Sequence, residues 1–363
     1  MITTDKTSLR RSGRRHCLPF ALALILFVLP AAAQTLIPLP EQSQRATAGQ
    51  RLAITDINIT YHRPLVAGRK IWGGLVPYGQ VWRAGANENT VIRFSDPVVV
   101  EGQPLAAGAY GLHMMPGPET WTIIFSRNSS SWGSFSYDKA EDALRVDVKP
   151  HPADMQEALS YEFDDLKPDS ALVTLRWEKL AVPFRVAATH EATLARVRDE
   201  LRSGAQYTWQ SWDEAASWLL QEKVDLDQAL KWTDRSIQFE ERFDNLATKA
   251  ELLKAQNKPQ EAATILGHAL EIGSVQQIYG YGRGLQFQKR QAEALDMFRV
   301  VVKRYPDHRL GHLAQARLLS ASGNFTGAAK EITAAQAASP NEQLKRVLDP
   351  LLQRLQASQD INN

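Results

Sequence analysis

The stretch Gln291-Ala292-Glu293-Ala294-Leu295-Asp296-Met297-Phe298-Arg299-Val300-Val301-Val302-Lys303-Arg304-Tyr305-Pro306 decides how the C-terminal half of the chain folds. Ala294, Phe298 and Val301 stand at i, i+4 and i+7, which puts them on one face of an α-helix, and Pro306 ends that helix because proline brings no N–H. The pattern repeats outward from there. Ala294 has counterparts at Ala229, Ala262 and Ala328, separated by 33, 32 and 34 residues. Four positions after each comes Thr233, Leu266, Phe298 or Ile332; seven after comes Ser236, Ala269, Val301 or Ala335. Twelve positions before each lies another small residue, Ser217, Ala250, Gly282 or Ala316, and Pro340 repeats the stop at Pro306. Small residues where two helices cross let their axes approach closely.

A helical period of this length is that of tetratricopeptide-like hairpins. The spacing predicts about four of them over residues 207–340, preceded by a connecting helix in 188–206. A capping helix from Asn341 to Leu355, within a terminal segment 341–363, would cover the last apolar face. Such an array presents a concave surface to a protein or peptide partner.

Upstream the periodicity changes. Between residues 50 and 187 short β-rich runs alternate with turn residues: Ile57 to Tyr61, Val91 to Phe94, Val98 to Val100, Tyr110 to Met114, Trp121 to Phe125, Leu144 to Val148, Leu159 to Phe163, Leu172 to Trp177 and Val182 to Val186. Nine short strands separated by Gly, Pro and Asp predict an all-β sandwich or barrel. The fold class is thus multidomain, an all-β sandwich or barrel followed by an all-α tetratricopeptide-like array. Residues 34–49 are expected to form a flexible lead-in.

One connection breaks the rhythm. From His62 to Thr90 no regular pattern appears, and a loop that long inside a compact domain is either functional or wrongly assigned. It holds five glycines, Trp72, Tyr78, Trp82, Arg63, Arg69, Arg83 and the pair Asn87-Glu88. Arg63-Pro64, Gly68-Arg69, Ile71-Trp72-Gly73, Leu75-Val76-Pro77-Tyr78-Gly79, Val81-Trp82-Arg83 and Gly85-Ala86-Asn87-Glu88, followed by Ala107 to Leu112 and Trp132-Gly133, closely resemble domain-of-unknown-function family 2911. The resemblance covers roughly residues 45–187 and implies a secreted or periplasmic β-domain, without supplying a reaction.

The N-terminus reads as a secretory signal peptide: Arg10, Arg11, Arg14 and Arg15, an apolar run from Cys17 to Leu29, then Ala31 to Ala33 with cleavage after Ala33. The expected location is periplasmic or secreted, with the Sec and twin-arginine routes both open and no transmembrane anchor after cleavage. The whole chain has 42 basic and 40 acidic residues; without residues 1–33, which hold five basic and one acidic residue, 37 face 39. That balance argues against a nucleic-acid partner. Cys17 is the chain's one cysteine, so after cleavage there is no disulfide, thiol nucleophile or thiolate metal site.

No motif names a reaction, no cofactor or metal is expected, and no catalytic residue is assigned. Gly280, Gly282 and Gly284 read as close helix packing, since no phosphate-binding lysine follows them. His308 and His312 lack a third metal ligand. Ser136-Tyr137-Asp138-Lys139 has the Ser-x-x-Lys spacing without its companion motifs, and Asp164, Asp165 and Asp169 read as a solvated turn. The remaining candidate is the irregular loop. Arg63, Arg69, Tyr78, Trp82, Arg83 and Asn87 suit a small anionic or carbohydrate ligand, with Glu88 and His113 as acid-base candidates. The alternative is structural: Arg83 pairs with Glu88, Asn87 holds a turn and the tryptophans plug the sandwich. The leading expectation is an envelope binding or scaffolding protein; the alternative is an envelope hydrolase or other enzyme using the Arg63–Glu88 loop, for which Arg69, Arg83, Glu88 and His113 would have to converge on one pocket.

Overall fold

The structure, a computed structural model, describes residues 40–362. The expected signal peptide and its cleavage point lie outside the described residues. The N-terminal half comprises two open antiparallel sheets, so the sandwich form holds and the barrel does not. Strands β1 (Gln44–Leu52), β2 (Thr55–Arg63), β3 (Val91–Phe94), β6 (Gly108–Met115), β7 (Trp121–Ser126) and β8 (Asp142–Val148) form one sheet in that order. The other has the order β5 (Gln103–Leu105), β4 (Val98–Val100), β10 (Ser170–Ala188), β9 (His151–Asp164).

Three assignments change. Residues 44–49, expected to be flexible, are the first part of β1, paired with β2 from Gln44↔Arg63 to Leu52↔Thr55. The runs 172–177 and 182–186 are one strand, β10, whose register against β9 shifts around Glu178. Gln103–Leu105 is an extra short edge strand, where Pro104 is tolerated.

Alternation along the strands makes the core. Ile57 and Ile59 of β2, Leu112 of β6 and Phe125 of β7 face Val173, Leu175 and Phe184 of β10 in one apolar cluster. Phe125 and Phe184 meet edge to face at 5.8 Å between centroids, across the two sheets. The irregular loop closes one end of this core. Trp72 meets Trp121 at 4.9 Å and Trp177 at 5.6 Å, while Trp82 stacks on Trp177 at 5.8 Å. The loop backbone is pinned by bridges Leu65↔Ala158 and Trp82↔Met114, and by the Tyr161 hydroxyl donating to the Ala84 carbonyl at 2.9 Å.

Ala188 ends β10, and Thr189 caps helix α1 (His190–Glu200), its hydroxyl accepting from the Ala192 N–H at 3.0 Å. Four antiparallel hairpins follow: α2 (Trp209–Glu222) with α3 (Leu226–Phe239), α4 (Phe243–Ala255) with α5 (Pro259–Ile272), α6 (Val275–Phe287) with α7 (Gln291–Arg304), and α8 (Arg309–Ala321) with α9 (Phe325–Ala337). Ala229, Ala262, Ala294 and Ala328 are all fully buried, as the repeat predicts. A Cβ on Gly282 would lie 2.8 Å from the Phe298 ring, so the close crossing of α6 and α7 requires glycine there. The expected single cap is two helices, α10 (Glu342–Arg346) and α11 (Asp349–Gln356). Pro350 explains the break, being compatible with a first helical turn but not with a continuous helix.

Candidate functional site

Alternation in β2 sends Ile57, Ile59 and Tyr61 inward and therefore Thr60 and His62 to the outer face of the six-stranded sheet. With Val91 and Arg93 of β3, they border a cleft of about 810 Å³, completed by Pro40, Glu41, Gln44, Arg45, Glu88, Asn89 and Ser129. His62 is the buried centre of one wall: its Nε2 lies 3.3 Å from a carboxylate oxygen of Glu41 and 3.3 Å from one of Glu88. One donor atom from each of the three residues lies within 4.8 Å of the other two.

The loop sequence explains how Glu88 arrives there. Asn87 adopts a left-handed backbone (φ 56°), a conformation asparagine tolerates better than most residues. Its side-chain amide donates to Glu41 at 2.5 Å and to the Ser43 carbonyl at 3.4 Å, tying the loop to the chain entering β1. Asn89, also buried, donates to the Asn128 carbonyl at 3.2 Å, while its own Oδ1 has no partner. Gly111 makes room for this crossing, since a Cβ there would lie 2.5 Å from the Asn128 carbonyl oxygen.

The other expected ligand residues do not join this cleft. Arg63 donates to the Leu159 carbonyl at 2.8 Å, and Arg69 donates to the carbonyls of Val66 and Leu65; both hold backbone. Tyr78 covers Gly73, and Trp82 donates to the Gly85 carbonyl at 3.1 Å within the tryptophan cluster. Arg69, Trp82 and Arg83 border a second cleft of about 800 Å³ at the plugged end of the sandwich. Burial holds the Arg83 guanidinium below its ordinary pKa, opposed by the charge of Glu88, and it lies over the Phe135 ring at 5.9 Å. Arg83 and Glu88 make no ion pair.

His113 is buried on the outer face of β6, hydrogen-bonded through Nδ1 to the Ser134 hydroxyl at 2.9 Å and edge-on to Tyr137. Burial depresses its pKa to about 4, so the ring stays neutral near pH 7. It borders neither cleft. Glu88 and His113 therefore do not share a pocket, and Arg69 and Arg83 face the second cleft rather than the first. The convergence required of an enzyme built from these four residues is not made.

The remaining motifs are engaged locally. His308 accepts the Leu310 N–H at 3.0 Å and His312 pairs with Glu331 at 2.8 Å, which separates their roles. Asp138 caps a short helical turn, and Asp164 and Asp165 pair with Arg176 and Arg185. His62 and Glu41 escaped sequence reasoning: one reads as the end of a strand, the other as part of a flexible segment. The outward phase of His62 among alternating apolar residues was the available signal.

A second kind of site lies in the array. The first helices of three successive hairpins, α2, α4 and α6, line a groove of about 420 Å³ with Leu220, Phe243, Ala247, Tyr281 and the acids Asp213, Asp244 and Glu251. Glu251 is neutralised by Arg290 at 2.6 Å and Lys254 at 3.1 Å, and accepts from the Tyr281 hydroxyl. Asp244 accepts from Gln277 at 2.8 Å. Asp213 differs: its Oδ1 is buried without a hydrogen-bond partner. Burial raises its pKa to about 6, and the charges of Asp244 and Glu214 push the same way against the Thr248 hydroxyl.

Residues 43–186 match a family of proteins of unknown function, DUF2911, in agreement with the resemblance carried by the loop motifs. Among solved structures, the chain is similar to YrrB, described as a TPR protein with an unusual peptide-binding site, at 17% identity and a TM-score of 0.26, over 44% of this chain and 83% of that one. No curated protein matches. Among the described residues no helix is long and apolar enough to cross a membrane.

Proposed function

We propose that the chain is a protein-binding adaptor of the cell envelope whose helical array holds an extended segment of a partner carrying a lysine or arginine. The observation that carries this reading is Asp213, a carboxylate with a buried, unpartnered oxygen at a groove that also offers the half-buried side chains of Leu220 and Tyr281. A buried acceptor without a donor costs about 1–3 kcal/mol, which an entering cation with N–H groups would recover. The neighbouring acids Asp244 and Glu214 add to the negative field instead of compensating it. The succession in sequence of basic, apolar and small residues up to Ala33 supports an exported location.

Binding of two fluorescent peptide libraries to the full chain tests the reading, one library with a fixed central lysine and the other with norleucine there. The lysine library is expected to bind preferentially and Asp213→Asn to abolish the preference. With an unbound Asp213 pKa of about 6, affinity for the cation weakens about tenfold from pH 7.5 to pH 5 as the carboxylate protonates. Equal binding of both libraries, unaffected by Asp213→Asn, would sink the proposal.

A further inference from the structure

We propose that Glu41, His62 and Glu88 bind one divalent transition-metal ion of the zinc or manganese type, with its open coordination positions facing the cleft on the outer sheet. The argument begins with the distances. Donor atoms held about 2.1 Å from a common tetrahedral ion stand about 3.4 Å apart, and His62 Nε2 is 3.3 Å from each carboxylate oxygen. The full set spans at most 4.8 Å, so a small movement of the two half-exposed glutamates brings all three onto one centre.

Hydrogen bonding accounts poorly for the same arrangement. An Nε2–H points one proton in one direction and cannot serve two carboxylates well. Glu88 Oε2 is buried without a hydrogen-bond partner although the imidazole nitrogen is beside it. A cation serves both anions and the nitrogen at once. His268 provides an internal contrast, because it too stands between two glutamates: Glu241 approaches its Nε2 at 2.8 Å and Glu271 its Nδ1 at 3.5 Å. Carboxylates on opposite ring nitrogens suit a protonated ring, and they raise the His268 pKa. Carboxylates converging on one nitrogen suit a metal.

The surroundings fit an ion that also takes an external ligand. Asn89 is buried with an unpartnered Oδ1 and borders the cleft. Arg45 and Arg93 border it as well, so a carboxylate or phosphate group completing the coordination sphere would meet positive charge. Asn87 holds Glu41 in place by its 2.5 Å hydrogen bond, the kind of outer contact that orients a metal ligand. An imidazole among the donors favours zinc or manganese over calcium, which prefers an all-oxygen shell.

Calorimetric titration of the EDTA-treated full chain with zinc, manganese and calcium chlorides tests the site. One zinc or manganese ion per chain is expected, with much weaker calcium binding. Because His62 is buried and its replacement risks the fold, the informative variants are Glu41→Gln and Glu88→Gln at half-exposed positions. Each should weaken zinc binding at least tenfold, while Glu241→Gln beside His268 should leave it unchanged. Cobalt(II) should give a visible d–d absorption band that both site variants lose. No zinc or manganese binding below millimolar concentration, or binding indifferent to Glu41→Gln and Glu88→Gln in folded protein, would overturn the assignment.

Discussion

In the sandwich the largest fully buried side chains are Trp121, Trp177, Phe125 and Phe184, whereas the helix pairs of the array close on Ala229, Ala262, Ala294 and Ala328. The aromatic residues converge from segments far apart in sequence, and in doing so they hold a long irregular loop against the end of a sheet. The alanines act between neighbours, and each hairpin needs only the next one to bury its apolar face. This difference shapes what each half can hold. Convergence collects Glu41, His62 and Glu88 at one point, while repetition spreads a groove over three hairpins.

The sharpest way to break the comparison is to remove a large side chain. Trp177→Ala should destabilise the sandwich by about 3–5 kcal/mol, read as a lower urea midpoint in tryptophan fluorescence. If far-UV circular dichroism shows the helices melting at an unchanged midpoint, the halves are energetically separate; a shared midpoint would show that the array depends on the sandwich.

Acid should act with opposite sign through two groups, His113 of the sandwich and Asp213 of the array. His113 has a folded pKa of about 4 against the ordinary 6.5, so its neutral form supports the sandwich fully above pH 6.5. That support is lost as pH falls towards 4, up to about 3 kcal/mol. Asp213 is raised to about 6 from 3.8, so its ionised form burdens the array at neutral pH and the burden lifts as pH falls through 6. Thermal unfolding at several pH values should show the sandwich weakening in acid, and His113→Gln should flatten that dependence; an unchanged slope in this variant would refute the assignment.

The smallest effects separate two glycines on one helix. Gly282→Val forces a side chain against Phe298 and should cost about 2 kcal/mol by overpacking. Gly284 has open space where a Cβ would go, so Gly284→Ala should gain up to about 1 kcal/mol through helix propensity. Urea midpoints of both variants measure the contrast.

The array was readable because its spacing, its small residues and its prolines encode the same local geometry. The sandwich was readable where alternation was clean and misread where it was not. β1 is an edge strand of polar residues, Gln44, Arg45, Thr47, Gln50 and Arg51, so no apolar alternation announced it. β10 looked like two strands because the register shift at Glu178, with its positive φ of 56°, interrupts the pattern. Of the proposed metal ligands only Glu88 stood out. His62 depends on strand phase and Glu41 on a contact across the chain entry, and neither is local in sequence. The arginines drew attention by their charge, but Arg63 and Arg69 serve backbone carbonyls, a use that composition does not reveal.

The junction of β10 with α1 has a mechanical consequence. The strand is bonded on one flank to β9 from Leu172 to Ala181 and on the other to β4 from Val186 to Ala188, and Thr189 caps the helix at the next residue. Arg196 of α1 also reaches back to the buried Asp96 at 3.3 Å. There is no slack between β10 and α1 to take up tension. A pull on anything gripped by the helices would travel lengthwise into β10 and load its two ladders in shear, so the part of the sandwich that resists a tug is the strand from which the array grows.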